Sequence, residues 1–156
     1  LGVPLYMQLS TIKKQLTPIL LSELAGCVVG VISVVYIAKE MGASREVILS
    51  LASKSVTTPI AMEVTKAVGG IPSLTAAVVV GVGLLCAVFG YRTMGFAHVK
   101  NPVAQGLSMG TAAHALGTAT SMDKSEVHGA YASLGLTLNG IFTSLLTPSI
   151  IPLILG

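Results

Sequence analysis

Charge is what this sequence lacks most. Of 156 residues only 10% are charged and 53% are apolar, where a soluble domain carries roughly 25% charged residues. So few charges cannot cover a water-facing surface, and the bilayer is the expected solvent. The formal net charge is only +3, and the Lys and Arg residues stand singly or in pairs. That excludes the basic stripe of a nucleic-acid binder. Cysteine is scarce as well. Cys27 and Cys86 both sit in apolar runs, and neither has a second ligand at metal spacing. Buried thiols are expected there, with no disulfide and no metal site. There is no HExxH and no phosphate loop, and nothing in the spacing of Ser55, Glu63 and His114 requires a triad. No enzyme and no cofactor is expected. No charged stretch leads into a short apolar run with a small-residue cleavage site, so no signal peptide is read.

What is present is apolar sequence with a few polar interruptions. Residues 16–38 are long enough to cross the hydrocarbon, which takes roughly 20 residues in a helix. Glu23 is the only charge there, and Gly26 and Gly30 form a small-xxx-small pair suited to close packing. Glu23 reads either as an interfacial carboxylate or as one facing a cavity. Residues 73–97 and 131–155 are two further full spans. The first carries Gly81, Gly83 and Gly90 for close contact; the second contains Asn139, a candidate for an interhelical hydrogen bond, and Pro148 and Pro152, which should kink or end it.

Between the spans lie two segments of another kind, at about 44–68 and 101–122. In the first, Ser44 is a plausible N-cap, and helix is expected to stop near Ser53 and restart with Thr58 as N-cap and Pro59 at the first helical position. The interruption Lys54-Ser55-Val56-Thr57-Thr58-Pro59 cannot simply be buried in lipid. Irregular backbone and a charge at membrane depth are tolerated where they line an enclosed or water-filled cavity. Gly69 and Gly70 close that segment. The second runs from Asn101-Pro102 through Gly106 and Gly110 to a break of small and hydroxyl residues around His114, with a polar connector over 123–128. The order is span, broken segment, span, broken segment, span. Two broken segments in corresponding positions point to a transporter site built on an internal, inverted repeat. They either cross the membrane or re-enter, and both readings stand. If both cross, Lys13, Lys14, Lys66 and Lys124 face Lys39, Arg45, Arg92 and Lys100, and the positive-inside rule does not choose between the sides.

The fold class expected is thus an all-α, polytopic integral membrane protein, with one transmembrane domain over 1–156. The expected substrate-binding residues are Lys54, Ser55, Thr57, Thr58, His114, Gly117 and Thr118. Lys54 would pair with a substrate carboxylate, helped by half-helix amides. The bland alternative is a snorkelling lysine, or an internal salt bridge to Glu63 or Glu23. Ser55, Thr57 and Thr58 serve as donors to substrate, as caps of the broken backbone, or as both. His114 binds substrate, carries a proton or holds its break together; Glu63 is a second possible proton site or a loop-facing carboxylate. Gly117 and Thr118 would shape a close backbone approach. Glycine-rich spans point to a homo-oligomer.

The runs Lys54-Ser55-Val56-Thr57-Thr58-Pro59-Ile60-Ala61-Met62, Gly69-Gly70-Ile71-Pro72-Ser73-Leu74-Thr75 and Gly110-Thr111-Ala112-Ala113-His114-Ala115-Leu116-Gly117-Thr118-Ala119 resemble the signature of the LrgB/CidB family of bacterial membrane proteins. Pro4-Leu5-Tyr6 with Gln8 resembles the family's segment upstream of these. The resemblance implies a multi-pass protein of the bacterial inner membrane. It also implies a regulator of murein hydrolase export and autolysis working beside a holin-like LrgA/CidA partner. Plastid relatives exchange glycolate and glycerate, and some bacterial relatives are linked to pyruvate uptake. Joined to the sequence chemistry, this implies alternating-access transport of small monocarboxylates, with autolysis regulation as the alternative. The family has further apolar helices before the Pro-Leu-Tyr segment, so the chain reads as the C-terminal portion of a longer one. Many members have basic residues where this chain has Gln105 and Thr120, which leaves Lys54 as the main candidate cation.

Overall fold

In a computed structural model, which describes residues 6–156, every regular element is a helix. The Pro4-Leu5 part of the upstream motif lies outside the described residues. A short helix α1 (Leu9–Lys14) leads into α2 (Leu16–Glu40); then come α3 (Arg45–Leu51), α4 (Thr58–Val68), α5 (Pro72–Phe96), α6 (Pro102–Lys124) and α7 (Glu126–Leu155). Three of these, α2, α5 and α7, are long and apolar enough to cross a membrane.

The helix ends follow from local chemistry. Ser44 holds the N-cap position of α3, but its hydroxyl makes no capping bond. The N-cap of α4 is Thr57 rather than Thr58, which puts Pro59 one position later than the sequence suggests. Proline is tolerated there because first-turn amides have no helical partner. Gly69 ends α4 at φ 84°, a left-handed conformation that glycine adopts without a Cβ penalty, and Gly70 N–H then donates to Thr65 O at 2.9 Å. Asn101 caps α6: its Oδ1 accepts from Val103 N–H at 2.8 Å. Ser125 alone separates α6 from α7, so α7 starts five residues before the expected 131. Pro148 and Pro152 do not end α7, which continues to Leu155.

Helices α2 and α7 run parallel. Tyr131 OH donates to Gln15 Oε1 (3.3 Å), Cys27 Sγ meets Thr143 Oγ1 (3.4 Å), and Lys39 Nζ donates to Ile154 O (3.5 Å). The offset between partners stays at 115 or 116 residues down the whole pair. Apolar packing clamps the Lys39 end, where Val31, Val35 and Ala38 meet Ile48, Leu49 and Ile151. At the Gln15 end Ile12 and Ile19 meet Leu107 and Tyr131.

The two intervening segments each fold back. Helices α3 and α4 are antiparallel: Ser53 Oγ donates to Ala61 O (3.0 Å) and meets Thr65 Oγ1 (3.0 Å), while Ile71 N–H donates to Ser50 Oγ (2.7 Å). Their turn is residues 52–57. Helix α6 is interrupted at His114, whose φ of 44° and ψ of −131° are not helical. Its two arms then return on each other, because Lys124 Nζ lies 3.3 Å from Gln105 Oε1 across 19 residues. A straight helix would hold those residues about 28 Å apart.

Both arms of α6 lie on α7, and small residues make that possible. A Cβ on Gly106 would stand 2.6 Å from His128 O, one on Gly110 would overlap Ala132 O, and one on Gly135 would stand 2.7 Å from Leu107 O. Between apolar helices such close approach, with its dispersion gain, replaces the hydrophobic drive that water supplies elsewhere. The Gly26–Gly30 pair does not play this part: Gly30 has nothing within 4 Å. On α5, Gly83 and Gly90 are close contacts and Gly81 is not. Helix α5 begins beside the first hairpin, where Thr75 Oγ1 donates to Ser50 O (2.9 Å), and ends beside the second, where Tyr91 OH donates to Ser121 Oγ (2.8 Å). The hairpins therefore enter from opposite ends of the bundle and meet near its middle.

Candidate functional site

The turn of the first hairpin and the entering arm of the second meet at one side chain. Asn139 is buried in α7, and its Nδ2 donates to Ser55 O (3.0 Å) and to Thr111 O (2.9 Å). Its Oδ1 accepts from Thr143 Oγ1 (3.3 Å). An amide suits this place because it carries two donors, one for each carbonyl.

Beside Asn139 lies a cavity of about 690 Å³. Its walls are the first half of α2 and the entering arm of α6, from Gln15, Pro18 and Asn101 at one end to Ser55, Thr111 and Asn139 at the other. Those walls are mostly apolar, and the polar groups gather at the deep end. There Glu23 is 3% exposed, and Thr111 Oγ1 lies 2.7 and 2.6 Å from its two carboxylate oxygens. Glu23 thus lines the cavity. An apolar pocket with a few convergent polar groups is the usual form of a small-molecule site.

The expected site residues divide. Ser55 lines the cavity. Lys54 stands behind it, with Nζ donating to Ser55 Oγ (3.0 Å). Among the described residues it forms no ion pair with Glu63 or Glu23. Thr57 points to the other side of α7, into an apolar groove of about 530 Å³ with Leu136, Gly140 and Leu145. Thr58 opens α4. Glu63 is exposed on α4, at the edge of a groove it shares with Ala67 and Pro148.

The second-hairpin residues sit at its turn, away from the cavity. His114 Nε2 bonds Val79 O of α5 at 3.0 Å, and since a carbonyl only accepts, that nitrogen carries the ring hydrogen. The ring occupies the space left by Gly83, where a Cβ would lie 2.7 Å from it. Gly117 packs on Met109 O, and Thr118 Oγ1 donates to His114 O (2.8 Å). These contacts hold the reversal. Sequence reasoning left Thr111, Glu23 and Asn139 out of the expected site. The signal was present: Glu23 is the only charge within 16–38, and Asn139 is the only side-chain amide within 131–155.

The model of the LrgB-like family matches residues 1–153. This chain belongs to the LrgB-like family. It is 40% identical over 154 residues to an uncharacterized protein of Haemophilus influenzae, covering 99% of this chain and 67% of that one. It is 35% identical over 153 residues to proteins named antiholin-like protein LrgB in Bacillus cereus and Bacillus anthracis, covering 98% of this chain and 66% of each. The chain thus spans about two thirds of the length of these relatives. No solved structure matches it.

Proposed function

We propose that this chain acts in the bacterial cytoplasmic membrane as an antiholin-like protein, regulating murein hydrolase export and autolysis beside a holin-like LrgA partner. What supports this reading is the relatives' printed name together with family membership across nearly the whole chain. The three apolar helices provide the membrane part.

A second reading, transport of a small monocarboxylate by alternating access, has its own supporting observation. It is the cavity that ends on Ser55, Glu23, Thr111 and Asn139, where two hairpins from opposite ends meet. Hairpins placed in this way, as in the halves of an inverted repeat, put irregular backbone where it lines a cavity instead of facing lipid. In this reading Lys54 supplies the positive charge through the Ser55 side of the floor, and the hairpins move against α2 and α7.

One experiment separates the two. The full-length parent protein is reconstituted in liposomes with a trapped inert dye, alone and with a holin-like partner. Antiholin action predicts that the partner alone leaks dye, that adding this protein suppresses the leak, and that labelled glycolate or pyruvate shows no saturable uptake. Transport predicts saturable, competable uptake with dye retained and without any partner, lost in Lys54→Ala.

A further inference from the structure

Thr111 has one hydroxyl hydrogen and too many acceptors. Its Oγ1 lies 2.7 and 2.6 Å from the two oxygens of Glu23, and also 2.7 Å from Leu107 O, the carbonyl one turn back. A hydroxyl can donate to only one of these. With Glu23 ionised, two of the three short oxygen–oxygen contacts have no hydrogen in them, and Thr111 gives the carboxylate at most one hydrogen. A proton on Glu23 leaves only one contact without a hydrogen: Glu23 donates to Thr111 Oγ1, and Thr111 donates to Leu107 O.

We infer that Glu23 is a proton-binding site at the deep end of the cavity, and that its proton decides whether Thr111 donates to Leu107 O or to Glu23. The surroundings agree. The carboxyl is 3% exposed and lines the cavity, so a water-filled cavity gives the proton a route. On α2 itself the nearest titratable group is Cys27, one turn on. The arm of α6 presents neutral Thr111, and α7 presents Gly135, whose Cα hydrogen side faces Glu23 Oε1, and neutral Asn139. From the turn of the first hairpin, residues 52–57, the only charge is Lys54, whose ammonium is bonded to Ser55 Oγ. No cation among the described residues pairs with Glu23. Ionisable groups inside a membrane with no partner are costly, and they mark ion and proton pathways.

Losing the proton would change a specific contact. Ionised Glu23 takes the Thr111 hydrogen for itself, Leu107 O loses it, and the charged carboxylate gains by meeting cavity water. The link from α2 to the arm is kept, with donor and acceptor exchanged. Neither the antiholin reading nor the transport reading is needed for this step, so its failure and theirs are distinguishable.

The test is infrared titration of the full-length parent protein in lipid, following the band of a protonated carboxyl group. Wild type should show a band that disappears as pH is raised, and Glu23→Gln should lack it. Glu23→Asp, kept as a folded control should the glutamine variant misfold, should retain a titrating band with a shifted midpoint. Thr111→Val should keep the band, displaced in frequency, because the acid has lost its acceptor. A wild-type spectrum with no such band across the range in which the protein stays folded would overturn the inference. So would a band that Glu23→Gln leaves unchanged, or one whose frequency and midpoint ignore Thr111→Val.

Discussion

At the scale of single residues, Asn139 and Thr147 make opposite predictions from equal burial. Asn139 is 2% exposed and serves Ser55 O and Thr111 O. Asn139→Leu keeps the volume and removes both donors, and each buried carbonyl left unpaired costs about 1–3 kcal/mol. A clear fall in melting temperature in detergent is expected. Thr147 is fully buried too, but its Oγ1 has no partner. Thr147→Val should therefore cost nothing or stabilise, because it exchanges an unsatisfied hydroxyl for a methyl group. His114 sits between these cases. Its left-handed backbone is strained for a side chain, by about 1–3 kcal/mol, and its bond to Val79 O compensates. Gly83→Leu should therefore destabilise strongly, by driving the ring from its place.

At the scale of elements, what matters is which glycines touch something. Gly110→Leu would push α6 off α7 at Ala132 and should cost enough to lower the yield of folded protein. Gly30→Ala meets nothing within 4 Å and should be neutral or stabilising, by up to about 1 kcal/mol from helix propensity. Melting curves of the two variants side by side check both expectations. The reversal of α6 has a direct test as well. With Cys27 and Cys86 replaced, the pair Gln105→Cys and Lys124→Cys should be joined by a bifunctional thiol reagent that spans two long side chains, since the ends of the parent side chains meet at 3.3 Å. Failure to crosslink would mean that α6 is extended and the second hairpin does not exist.

For the whole molecule, the hairpins change the charge count at each end. When both segments fold back, Lys13, Lys14, Arg92, Lys100 and Lys124 gather at the Gln15 end, and Lys39, Arg45 and Lys66 at the other. Five basic residues against three replace the even split of the all-crossing reading, and the positive-inside rule then predicts a cytoplasmic Gln15 end. Single cysteines at Lys100 and Lys66 should report opposite sides to a membrane-impermeant thiol reagent in intact cells, with Lys66 the accessible one. In that orientation the cavity's polar floor is reached from the Gln15 end, along Gln15, Pro18 and Asn101. The outer face of α5, with Val80, Leu84, Leu85, Val88 and Phe89 exposed, is left for lipid or a partner.

Sequence alone determined the helical class, the three apolar spans and the positions of the two interruptions, because hydropathy and helix-breaking residues act locally. Pro59, Gly69 and Asn101-Pro102 mark helix ends within a residue or so for the same reason. It singled out Lys54, Ser55 and His114 as polar residues out of place, but not what each one meets. Only the tertiary structure decided that the interrupted segments reverse. Reversal depends on contacts such as Gln105 with Lys124, and no local propensity encodes them. Likewise only the fold brought Glu23 to Thr111 across 88 residues, and Asn139 to Ser55 across 84. A buried polar side chain must find a partner somewhere; sequence shows the need, and packing chooses the partner.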